Sequence, residues 1–145
     1  MADVAYVEHG VIAADIARVY AYRLDFANLP AYNPSVSNMR QVAGDAPGVG
    51  AEYRFDLTLG GATIETPLRV VEATPHERIV IDVGPAYMAR ETCVLSERDA
   101  GTAIEFSTVV SFPGEIDAAA ADAVRAQGSE QVRIEIELMK KNLEG

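Results

Sequence analysis

Apolar residues alternate with polar ones most clearly at residues 52–59, where Tyr53, Phe55, Leu57 and Leu59 stand against Glu52, Arg54, Asp56 and Thr58. A period of two is the signature of a strand with one buried face. From Val36 to Phe112 such runs are separated at short intervals by turn residues: GDAPGVG at 44–50, Gly60-Gly61, ATPHE at 73–77, GPA at 84–86 and ERDAG at 97–101. The pattern predicts a meander of about six antiparallel strands, with Gly60-Gly61 as a two-residue hairpin whose turn requires positive φ. In the last strand Ile104, Phe106, Thr108, Val110 and Phe112 share one face. Residues 4–12, VAYVEHGVI, read as a further strand, although their alternation is imperfect.

Between that strand and the meander the period changes. Asp15 stands at an N-cap position before Ile16, Val19, Tyr20 and Leu24, predicting a short helix. Asp25 opens a second helical segment that must end at Asn33-Pro34, because the residue before a proline is driven out of the α region. The stretch FANLPAYNPSV, Phe26 to Val36, carries no charge, whereas surface loops are ordinarily polar. After Phe112 the helical period returns: an alanine-rich piece over 116–127 reaches Gly128, and a longer helix follows Ser129. In it Val132, Ile136, Met139 and Leu143 form one apolar stripe. That stripe needs a surface to lie on, and the inner face of a curved sheet is the large one on offer.

A chain of 145 residues predicts one domain over residues 1–145, and no repeat or linker argues for a second. No run approaches the roughly 20 apolar residues of a membrane span, and the start MADVAYVEHG lacks the basic and apolar regions of a signal peptide. The expectation is a soluble, cytoplasmic protein without integral membrane association. The single cysteine, Cys93, forms no internal disulfide, and two histidines make no cluster at metal-ligand spacing, so neither metal nor cofactor is expected. With 22 acidic against 12 basic residues the net charge is -10, which repels nucleic acid and anionic membranes. The sequence is compatible with a homodimer.

The segment IAADIARVYAYRLDFANLPAYNPSV resembles the opening of the Bet v 1-like superfamily, also called START-like or SRPBCC. The positions that carry the likeness are Ile12, Ala14, Val19, Tyr20, Asp25, Phe26, Tyr32, Asn33 and Pro34. VVEATPHERIV and LSERDAGTAIEF are similar to that superfamily's proline-turn strand and Gly-Thr strand entry, and GPAYMARE leans toward its polyketide cyclase/dehydrase branch. One departure is the lack of tryptophan, frequent in such sequences at the places of Tyr20 and Tyr32. The resemblance implies an α+β helix-grip fold: a curved seven-stranded antiparallel sheet wrapped around a long C-terminal helix, with two short helices after the first strand. In that fold the apolar segment from Phe26 becomes wall, with Phe26, Leu29 and Tyr32 beneath the long helix.

A sheet gripping a helix leaves a concave, apolar space of the kind that binds small molecules. Phasing the strands on Phe55, Leu68, Leu95 and Phe106 turns Tyr53, Leu57, Ile64, Thr66, Val70, Cys93 and Thr108 to the same side, with Ile136 and Met139 from the helix. On this phase Glu91 points inward as a candidate acid or base. If the strand shifts phase after Pro85, Arg90 points in instead. Glu8 and His9 pose the same choice on the first strand. Cyclases of the polyketide branch imply a cavity arginine and tyrosines, but the alternation puts Arg69 and Arg54 outward. Three functions follow: binding of a hydrophobic or amphipathic small molecule of lipid, polyketide or isoprenoid type; a cyclase, aromatase or dehydratase using Glu91, Arg90 or Tyr53; or a chaperone-like accessory module with a filled core.

Overall fold

A computed structural model describes residues 1–144. Seven strands form one antiparallel sheet in the order β1-β7-β6-β5-β4-β3-β2, where β1 is Ala2–Ile12, β2 Val36–Ala43, β3 Glu52–Leu59, β4 Ala62–Thr74, β5 Arg78–Val83, β6 Ala89–Arg98 and β7 Gly101–Phe112. Helix α1, Ile16–Leu24, and the single turn α2, Leu29–Tyr32, follow β1, and the long helix α3, Ala118–Glu144, closes the chain. This is the helix-grip architecture that the resemblance implies.

Local chemistry sets the boundaries. The Asp15 carboxylate accepts a hydrogen bond from the Ala17 amide at 3.2 Å and starts α1, and Asp25 does the same for Ala27 at 3.1 Å. Asn33 leaves α2 with extended backbone (φ -133°) ahead of Pro34, and its side-chain oxygen accepts from the Ser35 amide at 3.0 Å. Gly60 and Gly61 turn β3 into β4 with φ of 57° and 82°, the pair of positive values a type I′ hairpin needs.

The first and last strands of the sequence lie side by side. β7 enters at Gly101, where a Cβ would lie 2.5 Å from the Ile12 carbonyl oxygen, and the Thr102 hydroxyl donates to the Ala14 carbonyl at 2.8 Å. The Gly-Thr pair thus ties the sheet to the start of the short helices. The imperfect alternation of β1 has a cause of the same kind. Gly10 faces inward because Ile136 of α3 fills the space of its missing side chain, and Glu8 faces inward to accept from Arg133 of α3 at 2.7 Å. His9 is exposed on the outer face.

The two helical pieces expected around Gly128 are one continuous helix of 27 residues, about 40 Å long. Gly128 interrupts its propensity without ending it. The site needs a glycine because the Tyr6 ring of β1 lies against it: a Cβ there would stand 2.2 Å from Tyr6 Cζ. The two halves of α3 nevertheless differ. Val132, Ile136, Met139 and Leu143 are buried on the sheet as their stripe predicts, whereas no residue before Val132 is buried.

Gly128→Ala should therefore destabilise the fold by about 1–3 kcal/mol, although alanine is the better helix former by about 1 kcal/mol. In a Tyr6→Ala background the same change should stabilise. Denaturant unfolding of the four-member cycle measures the coupling. A stabilising Gly128→Ala in the parent chain would show that the ring does not set this position.

Candidate functional site

Three neighbouring strands bring three inward side chains into one row. Tyr6 of β1 stands opposite Thr108 of β7, and Thr108 stands opposite Glu91 of β6. Glu91 keeps the phase of Cys93 and Leu95, so the strand does not shift after Pro85. Arg90 accordingly points to the outer face. Its side chain is 60% exposed and forks onto Asp82 at 2.8 and 3.1 Å. Arg69 also reaches Asp82, at 3.1 Å from the same outer side.

The row meets a buried charge from α1. Arg23, only 2% exposed, donates to a Glu91 carboxylate oxygen and to the Tyr32 hydroxyl, the latter at 3.0 Å. Glu135 of α3 places an oxygen 3.7 Å from the same guanidinium and accepts from Asn33 at 2.7 Å. Phe26 and Phe106 have their ring centres 4.8 Å from the guanidinium carbon, contacts that stabilise a desolvated cation. Elements far apart in sequence therefore converge on one positive charge. Removing one partner from a buried pair of this kind costs about 3–5 kcal/mol, because the other charge is left without compensation.

The surroundings set the protonation of this cluster. Burial alone would push the Arg23 guanidinium down, but Tyr32, Glu91 and Glu135 hold it well above its ordinary value. Burial pushes the Glu135 carboxyl up to about 7, assisted by the negative charge of Glu91 and opposed by Arg23 and Asn33. Burial also raises the Tyr32 and Tyr6 hydroxyls, with Glu91 adding to the effect at Tyr6, so both are neutral hydroxyls at physiological pH.

Above this floor lies a cavity of about 540 Å³. Tyr6, Asn33 and Glu91 supply polar groups at its base. Its walls come from Leu57 and Leu59 of β3, Val110 and Phe112 of β7, Val83 to Pro85 with Met88 and Ala89 in the turn before β6, and Val124, Gln127, Gly128, Gln131 and Val132 of α3. The size and the mix of apolar wall with a few polar groups are those of small-molecule sites.

The model of the family described as polyketide cyclase / dehydrase and lipid transport matches residues 4–144. The chain belongs to this SRPBCC-type family. Among solved structures, the chain is similar to the di-domain ARO/CYC StfQ from the steffimycin biosynthetic pathway, with 15% identity and a TM-score of 0.82 over 98% of this chain and 51% of that one. The di-domain ARO/CYC BexL from the BE-7585A biosynthetic pathway shows 23% identity and a TM-score of 0.81 over 99% and 50%. The chain thus spans about half the length of these two proteins. Ginseng major latex-like protein 151 from Panax ginseng matches over 97% of both chains at 9% identity and a TM-score of 0.76, a likeness of fold. No curated protein matches by sequence.

For this family member the sequence-derived site divides in two. Leu29, Phe55, Leu57, Thr66 and Glu91 border the cavity. Phe26, Tyr32, Leu68, Cys93, Phe106, Thr108, Ile136 and Met139 face inward but are buried in the core, outside the cavity wall. The C-terminal half of α3 packs directly onto the sheet there and leaves no room. Tyr53 is likewise buried, tilted against Phe26 with ring centres 5.8 Å apart. Ile64 is on the inner face opposite Leu57 but is 54% exposed. Burial pushes the Cys93 thiol up to about 12, so it is no nucleophile.

Arg23 and Glu135 were not legible as site residues from apolar periodicity, which picks out Ile16, Val19 and Tyr20 in one helix and Val132, Ile136 and Met139 in the other. The usable signal was the interruption. Arg23 follows Val19 and Tyr20 at helical spacing on the buried face of α1, and Glu135 lies between Val132 and Met139 on that of α3. Two charges of opposite sign on two apolar faces imply each other.

Glu135 also predicts a pH dependence. Its folded value of about 7 lies above the ordinary 4.5, so between these pH values the folded chain binds more protons than the unfolded one. Linkage then makes stability fall as pH rises through this window, by up to about 3 kcal/mol in total. Glu135→Gln, whose amide oxygen can still accept from Asn33, should remove that decline and be the more stable form at pH above about 7. Urea unfolding of both proteins across the window checks this, and parallel curves would refute it.

Proposed function

We propose that the protein binds a small molecule with an apolar body in the cavity between the sheet and the N-terminal half of α3. The observation that carries this reading is the cavity of about 540 Å³, walled by Leu57, Leu59, Val110 and Phe112 and floored by Tyr6 and Glu91. A ligand of lipid, polyketide or isoprenoid type would seat its hydrocarbon on these walls, at about 25 cal/mol for each Å² of apolar surface removed from water. Its polar end would meet the floor. The family's description, which includes lipid transport, supports the same reading.

Native mass spectrometry of the protein purified from its own host should show one apolar compound per chain, released on denaturation. Val110→Trp, which extends an indole into the cavity, should be isolated without that compound and with its thermal transition intact. Retention of the compound by the variant at the parent level would place binding elsewhere and overturn the reading.

A second reading, a cyclase or dehydratase acting on such a ligand, is favoured by the pairing of a carboxylate and a neutral tyrosine hydroxyl on the cavity floor. Glu91 would take a proton from carbon and Tyr6 would donate a hydrogen bond to the neighbouring oxygen. The likeness to aromatase/cyclase structures supports the fold on which this chemistry would sit. Under this reading Glu91→Gln abolishes turnover of the recovered compound and leaves its binding within about tenfold. Undiminished turnover by the variant would remove Glu91 from the chemistry.

A further inference from the structure

The cavity has one charged group on its wall. Among the described residues that border it there is no lysine, arginine or histidine, and Glu91 is the single acidic side chain. The nearest positive charge, Arg23, is buried behind Glu91 and already engaged by Glu91, Tyr32 and Glu135. The cluster behind the floor holds two carboxyl groups and one guanidinium. It is one positive charge short when both carboxyls are ionised.

An anionic head group entering this space would meet Glu91 with no cation free to receive it, in surroundings where like charges in contact cost several kcal/mol. A hydroxyl would find an acceptor and a donor in Glu91 and Tyr6. A protonated amine would find the same acceptor and also supply the missing charge. The chain's net charge of -10 adds a field of the same sign over the approach.

Resting on the binding role proposed above, we infer that the cavity selects amphipathic ligands with a protonated amine head, seated against Glu91, and rejects carboxylates. The apolar tail lies along Leu57, Leu59 and Phe112 toward the mouth. A free fatty acid, which needs a cation at the floor, is the wrong ligand for this member of the family.

Dodecylamine, dodecanol and dodecanoate share one tail and differ in head-group charge. Calorimetric titration of each into the full chain at neutral pH, below its micelle concentration, separates the two levels of the argument. Dodecylamine should bind at least about tenfold more tightly than dodecanol, and dodecanoate at least about tenfold more weakly. Glu91→Gln should bring the three within about threefold of one another. Gln131→Lys, which leaves the buried cluster untouched and puts a cation on the α3 wall, should shift the preference toward dodecanoate.

Equal affinity for amine and alcohol, or dodecanoate bound as tightly as dodecylamine, overturns the head-group preference and leaves the binding role standing. Failure of all three to bind overturns both.

Discussion

A guanidinium buried away from water must be paid for by its neighbours, and in this protein Arg23 recruits them from every layer of the fold. Glu91 comes from the middle of the sheet, Glu135 from the long helix, Tyr32 from the short turn after α1, and the rings of Phe26 and Phe106 lie against it. None of these contacts is local in sequence apart from those to Phe26 and Tyr32. The charge is therefore compensated only when strand, turn and helix have docked together, which favours one arrangement of the layers over others that would bury a similar apolar area. Its second consequence is positional. By holding one side of Glu91, Arg23 fixes the carboxylate at the base of the cavity.

The fold was readable because its signals are short-range. Alternation locates the strands, Asp15 and Asp25 start the helical segments, Pro34 ends the second of them, and Gly60-Gly61 makes a turn that requires their backbone freedom. The resemblance then supplied the order in which these parts assemble. Gly128 lies beyond such signals. Glycine in a helical pattern reads as a stop, and its actual reason, the ring of Tyr6 more than a hundred residues earlier, is a packing relation that no window of sequence contains.

The candidate site was readable only as a face. Strand phase placed Glu91 inward with Cys93 and Leu95 but left open whether the phase survived the turn at Pro85, and it said nothing about where along the inner face the sheet and helix separate. That depends on side-chain size in α3. Ile136, Met139 and Leu143 are buried in one core cluster with Cys93, Leu68 and Phe106, whereas alanines and Gly128 precede them. Strand phase alone therefore does not separate floor, wall and solid core.

The division of labour within α3 has a consequence for how such a protein changes over time. Its C-terminal half carries the buried stripe and the Glu135 contact, and with them much of the stability. The N-terminal half, from Ala118 to Gln127, has no buried residue and lends Val124 and Gln127 to the cavity wall. Exchanging Val124 or Gln127 for a residue of another size reshapes the cavity without disturbing the packed interface further along the helix. Selection can thus retune what the cavity admits in small steps while the scaffold stays as it is, so that closely similar folds come to hold chemically different guests.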